Sequence, residues 1–253
     1  MTGNMNVISG CFEYCTVAAL ISYTASAVLV FVRMRRAGSV LVMAGFAVNL
    51  IALVSRGHIG DDWYFFPMID EPHLIPAVIA VCVFPLIRGK LRTDAMTVMG
   101  LLVMTTLIAV ISQADPPIPT IKGTPVVASL FFLSEAVATA LFLMAGAVAC
   151  AILPAKNPVK ESWNGLVLWG FALFTLCQIL GALWAFIGWS YPFSWSTRHL
   201  LSASIWCFYG AILHLRYISM DTKAKALLTI PGIIPVVFMV YHHEITILLG
   251  GVP

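Results

Sequence analysis

Gly181-Ala-Leu-Trp-Ala-Phe-Ile-Gly-Trp-Ser-Tyr-Pro-Phe-Ser-Trp195 is the stretch on which the reading of this chain turns. An apolar run leads into it from Gly165, and a second leaves it to end in Leu213-His-Leu-Arg216. Two helices of membrane length therefore meet at a turn crowded with Trp184, Trp189, Tyr191, Phe193 and Trp195. Such rings have an ordinary use at a membrane surface, with the indole N–H among the headgroups and the ring in hydrocarbon. Their density here, with His199 close behind, suits a flat conjugated ligand better than lipid.

Composition extends the membrane reading to the whole chain. Of 253 residues 60% are hydrophobic and 10% charged, and the mean hydropathy is +0.96. A water-soluble domain needs more polar surface than that, so the lipid bilayer is the chain's first partner. The net charge of +3 is small and no basic tract is present, which excludes nucleic acid as a partner. A hydrocarbon core of ~30 Å takes about 20 helical residues to cross. Apolar segments of about that length fall at 11–32, 38–55, 73–88, 96–113, 126–153, 163–188, 197–216 and 226–249. The expected fold is all-α, a polytopic bundle of about eight transmembrane helices forming one transmembrane domain over 1–253. Pro76, Pro85, Pro231 and Pro235 fall inside or at the ends of spans, where neighbouring groups can take up the carbonyls that proline frees. Met1 to Gly10 lacks the basic region of a cleavable leader, so the first helix is expected to stay.

Lysine and arginine set the orientation. Arg33, Arg35, Arg36, Arg88, Lys90, Arg92, Lys156, Lys160, Arg216, Lys223 and Lys225 fall in one set of loops, and Arg56, Lys122 and Arg198 in the other. The richer set is cytoplasmic by the positive-inside rule. Both termini and the tryptophan turn then lie outside, on a multi-pass protein of a bacterial-type cytoplasmic membrane.

No G-x-S-x-G, P-loop, G-x-G-x-x-G at a strand-to-helix turn, or H-E-x-x-H is present, so a hydrolase, kinase or zinc enzyme has no motif here. Cys11, Cys15, Cys82, Cys150, Cys177 and Cys207 show no metal-ligand spacing, and most lie in apolar spans, where a thiol acts as a small hydrophobe. Cys11 and Cys15, four apart near the outer face, could share a side of one helix but are poorly placed for a disulfide in regular helical geometry.

The aromatic turn and the helix after it resemble the cytochrome c assembly proteins, heme-handling membrane proteins. These carry a signature of the form G-x-x-W-A-x-x-x-W-G-S-Y-W-S-W-D-P-K-E and then a helix ending L-H-x-R. Without a gap this chain matches with Gly181, Trp184, Ala185, Trp189, Ser194 and Trp195, then Leu213, His214 and Arg216. Phe193 stands where the family has a tryptophan, Ser196 where it has the aspartate, and Thr197, Arg198 and His199 where it has P-K-E. The resemblance implies eight spans with the turn outside between the sixth and seventh, and an outer pocket in which Trp184, Trp189, Phe193 and Trp195 hold heme.

It also implies which side chains carry the chemistry. His214 corresponds to the ligand of a membrane-embedded b-type heme, and with no second histidine near the inner face that heme would be shared with a membrane partner subunit. Gly57, His58 and Glu71 are loose counterparts of an outer loop with a G-H-x-P stretch. Glu135 stands where the family tends to have an outer heme-ligating histidine. The helix holding it, expected over 126–153, would reach ~42 Å, so Glu135 falls near the outer boundary, where a carboxylate is costly unless paired or hydrated. The family's other outer ligand lies near the chain's end. Here His242 and His243 come about two turns earlier, and adjacent helical residues point about 100° apart, so one of them would face the interior.

Two functional readings follow, and a third is a structural anchor without a cofactor. In the first, the chain binds heme within the membrane, for delivery to an extracytoplasmic apocytochrome or as part of a membrane complex with a c-type cytochrome; His214 and His243 are then the metal ligands. In the second, it anchors a multiheme cytochrome and offers a menaquinol site, with Glu135 and His199 in the chemistry and His243 as a further polar contact, because a quinol losing electrons must also lose protons.

Overall fold

A computed structural model describes residues 2–57, 67–88, 92–112, 125–154 and 163–248. Its elements are helical: α1 (Thr2–Phe31), α2 (Arg35–Gly57), α3 (Pro67–Arg88), α4 (Arg92–Ile111), α5 (Pro125–Ile152), α6 (Trp163–Trp189), α7 (Thr197–His214), α8 (Thr222–Thr229) and α9 (Ile233–Leu248). Short 3-10 turns follow α7 at Leu215–Tyr217 and α8 at Ile230–Gly232, and no strand occurs among the described residues. Among the described residues, seven segments can cross a membrane by length and composition: Cys11–Phe31, Arg35–Ser55, Glu71–Arg88, Asp94–Ile111, Val126–Ile152, Trp163–Trp189 and Thr222–Tyr241. The protein is a multi-pass helical membrane protein. α7, expected as a span at 197–216, is not among these seven; Arg198, His199 and His214 lie in its end turns.

The helices group into two compact units, Met1–Pro117 and Ile118–Pro253. In the first, α1 packs on α2, α2 on α3, α3 on α4, and α4 back on α1. The α1–α2 hairpin turns through Arg33 at φ 70, and the Met34 N–H closes it by donating to the Leu29 carbonyl at 2.8 Å. Gly45 of α2 lies so close to α1 that a Cβ there would stand 2.6 Å from the Tyr23 ring. Such close approach is how helices associate in lipid, where burial of apolar area gives no advantage.

In the second unit α5 is the hub, packed by α6, α8 and α9. Ala136, Ala138, Ala140, Ala145 and Ala149 of α5 are buried small residues, which lets its neighbours approach. Deeper in, the Phe142 ring lies flat on Tyr209 of α7, centroids 3.7 Å apart. α7 turns Ser202, Ile205, Tyr209 and Ile212 inward. They recur at helical spacing and define its buried stripe.

Two differences from the sequence reading have physical causes. α3 starts at Pro67 rather than 73, with Pro72, Pro76 and Pro85 inside it. Proline suits a first turn, whose N–H groups lack intrahelical acceptors anyway. The last span is not continuous over 226–249. It begins at Thr222 behind an Asp221 cap and breaks at Ile230–Gly232. Pro231 has no N–H and its ring crowds the preceding turn, while the Ile233 N–H bonds the Ile230 and Pro231 carbonyls instead. α9 bends again at Tyr241, at φ −110 and ψ 18.

The orientation remains a prediction, tested by labelling on a background without the native cysteines. Tyr191→Cys, in the aromatic turn, is expected to react with an impermeant thiol reagent from outside, and Asn157→Cys, between Lys156 and Lys160, is not. The reverse pattern would overturn the placement of every outer and inner end named below.

Candidate functional site

α6 ends where Ser190 takes a left-handed conformation, φ 63, with its N–H still donating to the Phe186 carbonyl at 2.8 Å. Glycine is the usual residue there, so a serine in that region carries some strain. The chain then runs without helix through Tyr191–Trp195, and Ser196 caps α7 by accepting from the His199 N–H at a long 3.5 Å. Ser196 therefore serves as the N-terminal cap of α7.

The rings around this turn form two groups. In one, Trp184 stacks on Phe131 at 5.9 Å, meets Phe132 edge-on at 5.6 Å and Trp189 edge-on at 5.3 Å. Gly181 makes room for this group, since a Cβ there would stand 2.8 Å from the Phe131 ring. In the other, Phe193 meets Trp195 edge-on at 5.3 Å and the His199 imidazole at 5.5 Å. These separations are those of favourable aromatic pairs. Trp195 is 84% exposed and Trp189 41%, so both present ring surface outward, as a shelf for a ligand or a headgroup belt requires.

Glu135 lies beneath this layer, ten residues into α5. Its side chain is 2% exposed, and its Oε2 accepts from Arg198 Nη2 at 2.7 Å. Arg198 comes from the first turn of α7 and also lies 6.0 Å above the Phe132 ring. The carboxylate that the sequence places at a costly depth is thus neutralised by a guanidinium from the facing helix. One turn further along α7, Ser202 Oγ accepts from Gln178 Nε2 of α6 at 2.6 Å. The pair at Arg198 and the bond at Ser202 lie on one face and tie the start of α7 to α5 and α6.

The two histidines of α7 share a feature. Nδ1 of His199 lies 2.8 Å from Ser196 Oγ and 3.1 Å from Ser194 Oγ. Nδ1 of His214 lies 2.7 Å from the Gly210 carbonyl oxygen. A carbonyl can only accept, so in the neutral ring Nδ1 of His214 carries the proton and Nε2 the lone pair. His214 is exposed and off the buried stripe of α7, with Tyr217 6.4 Å away and Arg216 donating to the Tyr217 hydroxyl.

The structure therefore brings Trp184 and Trp189 together, joins Phe193, Trp195 and His199, and sets His214 apart at the other end of α7. His58 lies outside the described residues. His242 and His243 follow the bend in α9, and their side chains lie outside what is described. Among the described residues no three of His, Cys, Asp or Glu cluster as a ready-made metal site. Arg198 is the site residue that the sequence reading passed over. Its signal was available: a carboxylate sunk in a span requires a cation, and Arg198 is one of the few on that side.

No protein-family model matches the sequence, and no curated protein matches it. Among solved structures, cytochrome c heme lyase CcmF superposes with a TM-score of 0.61 over 98% of this chain at 15% identity. This chain spans 52% of that protein's length. The likeness is one of fold: the chain shares the helical membrane fold of that protein.

Proposed function

We propose that the protein binds heme within the membrane and serves cytochrome c assembly or a membrane cytochrome complex, in company with a membrane partner subunit and an extracytoplasmic c-type cytochrome or apocytochrome. The observation that carries this reading is the state of the α7 histidines: at each end Nδ1 is engaged by the helix's own cap or carbonyl, and Nε2 has no hydrogen-bond partner among the described residues. A histidine that ligates a metal usually has its second nitrogen held in this way, which fixes the ring and raises its basicity. A heme would supply a redox-active iron that takes axial nitrogen ligands. His214 would hold a b-type heme on the outward side of α7, towards a partner. His199 would face a ligand on the shelf of Phe193 and Trp195. The fold shared with a heme lyase supports the same reading.

The menaquinol reading needs Glu135 as a proton acceptor. The Arg198 guanidinium already occupies one carboxylate oxygen of Glu135, and this weighs towards heme. The test is a heme titration of the purified chain followed by its visible spectrum. His199→Ala is expected to weaken outer heme binding at least about tenfold, and Ser196→Ala, which loosens the ring without removing it, by less. If both His199→Ala and His214→Ala leave the titration unchanged, the heme reading fails.

A further inference from the structure

Unit 1 carries a sulfur pair that the heme reading does not use. Cys11 and Cys15 lie one helical turn apart on α1 with their Sγ atoms 4.0 Å apart, and Cys11 Sγ is 3.8 Å from Ser55 Oγ near the end of α2. The Ser55 hydroxyl donates to the Ile51 carbonyl at 2.8 Å, which leaves its lone pairs for the Cys11 thiol. Ser55 directly precedes the charged Arg56 near the end of α2 (Arg35–Gly57), which places the pair near a membrane rim. That rim is the outer one in the orientation set by the basic residues. Cys11 is exposed and Cys15 half-buried.

The separation discriminates between two uses of a cysteine pair. A disulfide needs Cβ atoms about 3.5–4.5 Å apart, whereas residues four apart on a helix hold theirs about 5–6 Å apart. Closing the bond would distort a turn of α1. Two sulfurs bound to one ion at about 2.3 Å stand about 3.8 Å apart at the tetrahedral angle and about 4.0 Å at the trigonal one. The helix thus already presents the bite of a two-thiolate chelate.

Thiolates select soft ions. With two sulfurs and no cluster of three His, Cys, Asp or Glu among the described residues, the pair suits an ion content with two or three ligands better than one needing zinc's closed tetrahedron. We propose that Cys11 and Cys15 form an open two-thiolate site for a soft monovalent cation, with cuprous copper as its representative. Binding displaces both thiol protons. The Ser55 hydroxyl can then turn from Ile51 to donate to the Cys11 sulfur, as a hydrogen-bonding neighbour that tunes the ligand. Because Cys11 is exposed, such an ion could be exchanged with a partner rather than locked in the fold.

The test titrates the reduced full-length protein in detergent, without oxygen, with Cu(I) against a coloured Cu(I) chelator. The expected result is one Cu(I) per chain with thiolate-to-copper ultraviolet absorption, abolished by Cys11→Ser and by Cys15→Ser and weakened about tenfold by Ser55→Ala. Alkylation mapped by mass spectrometry gives a second measurement on the unsubstituted chain: Cu(I) should protect Cys11 and Cys15 together. Undiminished copper binding in the Cys11→Ser, Cys15→Ser double variant would assign the ion to other cysteines and overturn the proposal. Alkylation of Cys11 and Cys15 unaffected by Cu(I), or their conversion to a disulfide with no copper bound, would overturn it equally.

Discussion

Arg198→Ala lowers the unfolding free energy by about 3 kcal/mol, in the lower part of the range for splitting a buried ion pair. The lower part applies because the Arg198 side chain is 34% exposed while that of Glu135 is 2% exposed. Removing the guanidinium leaves the carboxylate buried without its counter-charge, and the chain must protonate it or admit water. Glu135→Gln is milder, about 1 kcal/mol, since an amide oxygen still accepts from the arginine. The double change Glu135→Leu with Arg198→Met restores most of the loss, because two apolar side chains of similar length need no charge balance. Reversible unfolding in mixed micelles of the wild type, Glu135→Leu, Arg198→Met and the double variant closes a double-mutant cycle and measures the coupling. Strictly additive effects would show that the 2.7 Å contact does not hold α7 against α5.

On the proposed heme reading, His214→Ala is expected to remove a b-type heme absorbance from the protein purified with any membrane partner, while the polypeptide still inserts and assembles. The effect is all-or-none because an axial ligand has no local substitute: among the described residues no further histidine accompanies His214 at that end of α7. Assembly survives because His214 is exposed and lies off the stripe formed by Ser202, Ile205, Tyr209 and Ile212, so its loss opens no cavity. The reduced-minus-oxidised spectrum reads the outcome. An unchanged spectrum would leave His214 a surface residue that reaches back to the Gly210 carbonyl.

The fold was legible where chain length and hydropathy alone decide it. The fifth and sixth spans, expected at 126–153 and 163–188, are Pro125–Ile152 and Trp163–Trp189, since a membrane sets a minimum length and little else does. The break at Ile230–Gly232 was not legible, because proline by itself is ambiguous in such helices. Pro76 and Pro85 sit inside α3 without ending it. At Pro231 the next residue is Gly232, where a Cβ would stand 2.8 Å from the Tyr209 hydroxyl, and only tertiary packing contains that fact. The burial of α7 was hidden for a related reason: in an apolar helix every face looks alike, and the inward one is chosen by its neighbours. At the site, the aromatic turn and His199 were visible as residues crowded in sequence. The Glu135–Arg198 pair joins positions 63 apart in the chain, and it could be inferred only from the electrostatic demand of a buried carboxylate.

The length of α7 has an electrical consequence. His199 and His214 are fifteen residues apart, about 22 Å along a helix axis, or about three-quarters of a hydrocarbon layer ~30 Å thick. Between them Ile205 and Tyr209 are buried, and Tyr209 is stacked against Phe142. One charge crossing the full potential changes in energy by about 2.3 kcal/mol per 100 mV. With α7 crossing the membrane in the orientation that the basic residues predict, an electron moving from the His214 end to the His199 end would gain about 1.7 kcal/mol per 100 mV of an inside-negative potential. The opposite transfer would have to work against the same amount, which makes the direction of any traffic along this helix sensitive to membrane voltage.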